Sequence, residues 1–193
     1  MVIKAVIFDF AGVIGVDGYW VWLRENVPNI EEQRPFFQKI SEEVDKGVIT
    51  NKEFVEQIAR ETKKDVNIIW PQIFQKIVIN TALLEYITRL KTQYKIGLLT
   101  NYTYEWLDEI FQKYDLAPYF DQILISSRSK LIKPEPEAFL KILELLQVAK
   151  EEAAFIDDRQ GHVDASNKIG LKAFLFVDNE KLKQDLENCG IKA

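Results

Sequence analysis

The chain has 193 residues, a formal net charge of −5 and an isoelectric point near 5.1. We expect one large domain, or one domain with an insert, and the 47% hydrophobic content is enough to bury a core. The acidic balance argues against binding of nucleic acid, and the single cysteine excludes an intrachain disulfide framework. No apolar run approaches the roughly 20 residues that span a bilayer, and the first residues do not resemble a signal peptide, so we expect a cytoplasmic protein without membrane contact.

Five short apolar runs predict buried strands, because each is continuous rather than alternating. They span residues 2–8, 95–100, 122–126, 153–157 and 172–177. From the second run onward, helical patterns lie between successive runs, which is the order of βαβ crossovers. The sequence therefore predicts an α/β fold with a doubly wound parallel sheet of about five strands.

The long interval after the first run has a different character. It contains no strand-like run and at least three helical patterns, one of which begins with a capping box between Thr50 and Glu53. Because this interval is too long for a crossover, we interpret residues 15–79 as a helical cap inserted after the first strand. Residues 1–14 and 80–193 then form a Rossmann-like core.

Each predicted strand ends in polar residues, and ligands of open α/β sheets bind outside the carboxyl ends of the strands. The polar strand ends are Asp9, Thr100-Asn101, Ser126-Ser127, Asp157-Asp158 and Asp178. We therefore expect residues that are distant in sequence to converge on one site at this edge of the sheet.

Three of these residues, Asp9, Asp157 and Asp158, would bring carboxylates close together. They would repel one another without a cation, and oxygen ligands with room for water suit Mg²⁺. Lys133 follows the third strand just before a helix, where it could neutralise Asp9 and hold a phosphate. A carboxylate between a metal and a lysine stays ionised and can attack phosphorus to form an aspartyl-phosphate.

The transition state of such a reaction spreads charge over three equatorial oxygens. Lys133, the Thr100 hydroxyl, and Asn101 or nearby backbone N–H groups are the donors that could stabilise this charge together with the metal. The sequence thus predicts Asp9 and Lys133 as catalytic residues, and Thr100, Asn101 and Lys133 as the phosphate site.

Four segments in order resemble the motifs of the haloacid dehalogenase (HAD) superfamily of phosphohydrolases, in its branch with a helical cap after the first strand. The segments are VIFDFAGVI, KIGLLTN, SSRSKLIKPEPEAF and AAFIDDRQGHVDASNKIGLKAF, and KGVITNKEF resembles a recurring cap segment. The resemblance covers nearly the whole chain. It implies that Asp9 is the nucleophile, and that Asp9, the main-chain carbonyl of Ala11, Asp157 and Asp158 hold Mg²⁺. By the same resemblance Asp158 would bind the metal directly and Asp157 through water.

Ala11 departs from the family pattern. Most phosphatases of the family carry a second aspartate at this place, which protonates the leaving oxygen and then activates water. Alanine can do neither, and general acid–base assistance is typically worth about 10²–10⁴-fold. The main-chain carbonyl does not depend on the side chain, so we expect Ala11 to spare metal binding and to impair turnover.

Three functions therefore compete at the level of sequence. The favoured one is a magnesium-dependent phosphatase that acts on a small phosphomonoester. The second is a protein that binds phosphorylated ligands or a protein partner with little turnover, and the third is a dehalogenase-like hydrolase. The adjacent acids Asp157-Asp158 favour phosphate chemistry over the third, and the protein is expected to be a monomer or a homodimer.

Few residues near the predicted site could replace the missing acid. Asp17 and Tyr19 follow the first strand and could move over the site, although an acid beside Gly18 is more typical of a turn. We interpret His162, the single histidine, as a surface or capping residue, and Arg159 as a solvated or charge-balancing side chain.

Overall fold

The computed structural model describes residues 2–193, so Met1, where the predicted core begins, lies outside the described residues. Five parallel strands form one sheet in the order β3-β2-β1-β4-β5, which confirms the predicted α/β fold. The strands are β1 (Ala5–Phe8), β2 (Lys95–Thr100), β3 (Gln122–Ile125), β4 (Ala153–Asp157) and β5 (Lys172–Leu175). The first strand is shorter than predicted because residues 2–4 precede the ladder, and the last ends before Phe176.

Ten α-helices accompany the sheet within residues 2–193. They are α1 (Gly18–Asn26), α2 (Ile30–Asp45), α3 (Asn51–Thr62), α4 (Val66–Gln75), α5 (Thr81–Leu90), α6 (Tyr104–Tyr114), α7 (Ser126–Ser129), α8 (Pro136–Leu146), α9 (Gln160–Lys168) and α10 (Asn179–Asn188). Short 3₁₀ turns span Ala117–Tyr119 and Lys150–Glu152. Among residues 2–193, no helix is both long and apolar enough to cross a membrane.

The central strand β1 is buried on both faces, as its continuous apolar sequence predicts. Val6 and Phe8 belong to one hydrophobic cluster, and Ala5 and Ile7 belong to another. Since successive side chains of a strand point to opposite faces, the two clusters are the two layers of helices packed on the sheet. This double cover fixes the register of β1 and so the position of the residue that follows it.

Helices α1–α4 lie between β1 and α5 and share a hydrophobic cluster, to which Trp106 of α6 also belongs. Trp22, Phe37, Ile58 and Ile69 are fully buried in it. We call residues 18–75 the helical segment. The limits of the predicted cap, residues 15–79, stay a prediction.

Two chain segments connect the helical segment to the sheet, and they run side by side. Val16 N donates to Val78 O at 3.0 Å, and Asn80 N donates to Ile14 O at 2.9 Å. The chain therefore leaves the sheet and returns to it through one paired neck.

The capping box predicted at α3 is present. Glu53 N donates to Thr50 Oγ1 at 3.2 Å, and Thr50 N donates to Glu53 Oε2 at 2.8 Å. Both bonds satisfy backbone donors that the helix itself leaves unpaired.

We predict that Thr50→Ala lowers the free energy of unfolding by about 1 kcal/mol, because the first turn of α3 loses its side-chain acceptor. Urea denaturation followed by circular dichroism measures the change. Thr50→Ser is the matched control, since it keeps the hydroxyl. Equal losses in both variants would contradict a capping role.

Candidate active site

The site begins where two neighbouring strands end. Phe8 pairs with Ile156 in the parallel ladder between β1 and β4. Asp9, which follows β1, continues this pairing by donating its backbone N–H to Ile156 O at 2.9 Å. The register therefore places Asp9 beside Asp157, the last residue of β4.

A buried lysine joins these two carboxylates. Lys133 Nζ lies 2.8 Å from Asp9 Oδ1 and 2.6 Å from Asp157 Oδ2. All three side chains are almost completely buried. The ammonium thus neutralises part of the negative charge inside the protein, where an unpaired charge is very costly.

The two carboxylates respond differently to this environment. Burial raises the pKa of Asp9; Lys133 lowers it, and the charge of Asp157 adds to the rise. Burial would also raise the pKa of Asp157, but Lys133 and His162 outweigh this effect and hold that pKa well below its usual range. Lys133 and His162 therefore favour the ionised form of Asp157, whereas burial disfavours the ionised form of Asp9.

His162 is buried, so its interpretation as a surface residue is wrong, although it does lie at the start of a helix. It lies in the first turn of α9 with only 7% of its surface exposed, and its Nδ1 is 2.9 Å from Asp157 Oδ2. The nearby backbone N–H of Arg159 donates to Asp157 Oδ1 at 2.8 Å. The start of α9 therefore turns the imidazole towards the end of β4, a placement that a helical pattern alone does not reveal.

Two of the predicted phosphate-binding residues, Thr100 and Asn101, lie at the carboxyl end of β2, where Thr100 ends the strand and Asn101 follows it. Thr100 is buried, and its Oγ1 has no hydrogen-bond partner among residues 2–193. Asn101 is held by Lys133 in both directions, since Asn101 Nδ2 donates to Lys133 O at 2.8 Å and Lys133 N donates to Asn101 Oδ1 at 2.9 Å. Asn101 thus fixes the backbone that carries the lysine.

Asp158 packs against Gly12, in the loop that follows β1. A Cβ added at Gly12 would overlap Asp158 Oδ2, and Gly12 has a φ of +83°, so only glycine suits this position. Burial, followed by the charge of Asp157, raises the pKa of Asp158. The chain thus packs Asp158 against the loop that contains Ala11, whereas Asp9, Asp157 and His162 present ligand atoms within 4.8 Å of one another.

A cleft of about 660 Å³ opens above these residues, between the helical segment and the sheet. Lys133, Asp158 and His162 line it from the sheet side. Trp20 and Asp45 line it from the helical segment, and the sequence analysis did not select either of them for a role in the site.

Two further predicted residues also lie at this cleft. Asp17 caps α1, where its Oδ1 accepts from Trp20 N at 3.2 Å. Arg159 is half exposed and its guanidinium is 4.0 Å from Asp17 Oδ2, as expected of a charge-balancing side chain. Tyr19 is buried in the cluster of the helical segment and donates its hydroxyl to Phe37 O.

The fold and this site define a doubly wound α/β enzyme in which a buried carboxylate follows the first strand and a buried lysine contacts it. The family model for haloacid dehalogenase-like hydrolases matches residues 3–170, and the chain belongs to this family.

Similar proteins extend this result. The chain is 27% identical to bifunctional epoxide hydrolase 2 of Sus scrofa over 97% of its own length and 39% of that protein. It is 32% identical to flavin mononucleotide hydrolase 1 of Arabidopsis thaliana over 51% of its length and 40% of that protein. The matches therefore span about two fifths of the length of these curated relatives.

A solved structure of similar shape is that of a HAD family enzyme, bt-2542, from Bacteroides thetaiotaomicron. The wild-type protein, in complex with magnesium and inorganic phosphate, is 25% identical with a TM-score of 0.75. The match covers 93% of this chain and 98% of that one.

We predict that Lys133→Met lowers the free energy of unfolding at pH 7 by about 3–5 kcal/mol, because it leaves Asp9 and Asp157 buried without their shared cation. Urea denaturation measures the loss. Lys141→Met is the control, since it removes a surface ion pair with Glu144 and should change stability by about 1 kcal/mol or less. Similar losses in both variants would mean that the buried ion pairs contribute no more to the free energy of unfolding than the surface pair.

Proposed function

We propose that the protein is a magnesium-dependent phosphatase that hydrolyses a small phosphomonoester through an aspartyl-phosphate on Asp9. The observation that carries this proposal is the contact of 2.8 Å between Lys133 Nζ and Asp9 Oδ1 inside the protein. A carboxylate beside a fixed cation remains available as a nucleophile when a phosphate dianion approaches.

Phosphate binding is assigned to Lys133, Thr100 and Asn101. The Thr100 hydroxyl is buried and has no partner among residues 2–193, and a buried polar atom of this kind is costly unless a ligand satisfies it. Lys133 supplies positive charge where the equatorial oxygens of the transition state gain negative charge. Asn101 holds the backbone of Lys133, and through it the ammonium, in position.

The donor set fits Mg²⁺. Asp9, the main-chain carbonyl of Ala11, Asp157 and Asp158 offer only oxygen atoms, and one lysine does not balance three carboxylates. Asp157 already accepts bonds at both of its oxygens, which supports a contact through water, whereas no side-chain hydrogen bond to Asp158 is found within residues 2–193. When bound, the ion would neutralise charge on the phosphate and orient it towards Asp9.

The similar proteins support phosphate chemistry. One curated relative is named a flavin mononucleotide hydrolase, and a second, from Thermotoga maritima, is named a phosphorylated carbohydrates phosphatase. The structure of bt-2542 holds magnesium and inorganic phosphate together. The cleft of about 660 Å³ has room for an organic group beyond the phosphate, so we assign a small phosphorylated metabolite as the substrate class.

We predict that the purified protein releases phosphate from one or more members of a panel of sugar phosphates, acyl phosphates and nucleotides only when Mg²⁺ is present. Phosphate release is measured with and without a chelator. Asp9→Asn should lose at least 10³-fold in kcat, because an amide oxygen is a poor nucleophile. Absence of turnover above Asp9→Asn on the whole panel would refute the proposal. Halide release from 2-halo acids without metal would identify a dehalogenase instead.

We further predict that Ala11→Asp raises kcat on alkyl phosphates, because the new carboxyl group can protonate the leaving oxygen. General acid–base assistance sets the upper scale at about 10²–10⁴-fold. Ala11→Asn is the matched control, since it has a similar volume without a carboxyl group. If both variants behave alike, position 11 affects shape rather than proton transfer.

A further inference from the structure

Because position 11 is an alanine, it supplies no acid for the proton transfers of the proposed reaction. Two other acidic residues line a small cavity beside Ala11. This cavity of about 50 Å³ is lined by Ala11, Asn101, Asp17 and Asp45, among others. Its volume is that of one or two water molecules, so a leaving-group oxygen fits inside. The cavity adjoins the larger cleft, because Asp17, Asp45 and Asn101 line both.

Asp17 is already committed to the fold. Its Oδ1 accepts from Trp20 N and caps α1, and Oδ2 faces the Arg159 guanidinium at 4.0 Å. Both interactions require an ionised or accepting carboxylate. An acid must hold a proton before it gives one up, and a proton on Asp17 would weaken both the helix cap and the contact with Arg159.

The Asp45 carboxyl group has no comparable structural role. It is the last residue of α2 and is partly buried, and its carboxyl group makes no hydrogen bond or ion pair within residues 2–193. The residues that follow it are tied to the sheet side: Lys46 Nζ lies 3.3 Å from Glu135 Oε1, and Gly47 O accepts from Lys130 Nζ at 3.1 Å. The end of α2 is thus fixed at the point where the helical segment meets the site.

We propose that Asp45, supplied by the helical segment, is the general acid and base that replaces the missing aspartate at position 11. This inference rests on the proposed phosphatase function. Asp45 and Ala11 line the same small cavity, so α2 brings a carboxyl-bearing residue to the cavity that an acid at position 11 would also line.

The charges around Asp45 suit an acid that holds its proton near neutral pH. Burial raises the pKa of Asp45 to about 8. Arg159 and Lys133 lower it, whereas Asp17 and Asp9 raise it further. Because the acid form is lost as the pH rises through this value, kcat for esters with poor leaving groups should fall on the alkaline side.

The two half-reactions balance as follows. Asp9 attacks phosphorus, the bond between phosphorus and the ester oxygen breaks, and the Asp45 proton passes to that oxygen to release an alcohol. The Asp45 carboxylate then takes a proton from a water molecule, and the oxygen of that water attacks the phosphorus of the aspartyl-phosphate. The bond between phosphorus and Asp9 breaks, inorganic phosphate leaves, and both residues return to their initial states.

The test compares leaving groups in the full-length protein with Mg²⁺. Asp45→Asn should lower kcat for alkyl phosphates by about 10²–10⁴-fold and kcat for 4-nitrophenyl phosphate far less, because nitrophenolate leaves without a proton. The alkaline fall in kcat should disappear in the same variant. Adding Ala11→Asp to Asp45→Asn should restore turnover of alkyl phosphates, which a merely structural role of Asp45 would not allow.

Glu32→Gln is the matched control, since Glu32 is an exposed acid on the same helix. Circular dichroism verifies that each variant is folded. If Asp45→Asn does not fold, Asp45→Glu takes its place. Because this variant keeps a carboxyl group, it should retain turnover of alkyl phosphates and the alkaline fall in kcat. An equal loss on both ester types, or no loss, overturns the role of Asp45. A loss selective for alkyl phosphates in Asp17→Asn instead would assign the acid to Asp17. If Ala11→Asp is the only active variant, the proposed phosphatase function is supported and the proposed role of Asp45 is refuted. If no variant turns over any ester, the proposed function is refuted as well.

Discussion

The ammonium of Lys133 between Asp9 and Asp157 is the interaction on which the rest of the site depends. A lone charge at this depth would be driven to its neutral form, and two carboxylates would repel each other. The lysine resolves both problems only if β1 and β4 are neighbours and end at the same level, which their parallel register ensures. The contacts of Lys133 therefore depend directly on the order of the strands in the sheet.

The same constraint explains which parts of the site could be predicted from the sequence. Asp9, Thr100 and Asp157 directly follow or end apolar runs, and the carboxyl ends of parallel strands meet along one edge. Their convergence needs only the order of the strands. Lys133 could be predicted because it follows the third strand just before a helix, at the same edge as Asp9, and the motif resemblance agrees with this position.

The residues that sequence reasoning missed depend on tertiary packing. His162 carries no apolar signal, and its burial follows from the angle at which α9 leaves β4. Asp45 stands at the end of an amphipathic helix among other charged residues, and nothing local distinguishes it from a solvated acid. Its significance appears only when the helical segment is placed against the sheet, since the cavity that it shares with Ala11 is formed by both.

The paired neck has a further consequence, for how such a chain can be assembled. Val16 and Val78 are hydrogen-bonded to each other, so the ends of the intervening segment are adjacent. Closing a loop of this length in an otherwise intact sheet costs little more than closing a short one. On loop closure alone, a segment of another length could therefore occupy this position. Its exchange would leave the contact between Asp9 and Lys133 in place but would remove Asp45.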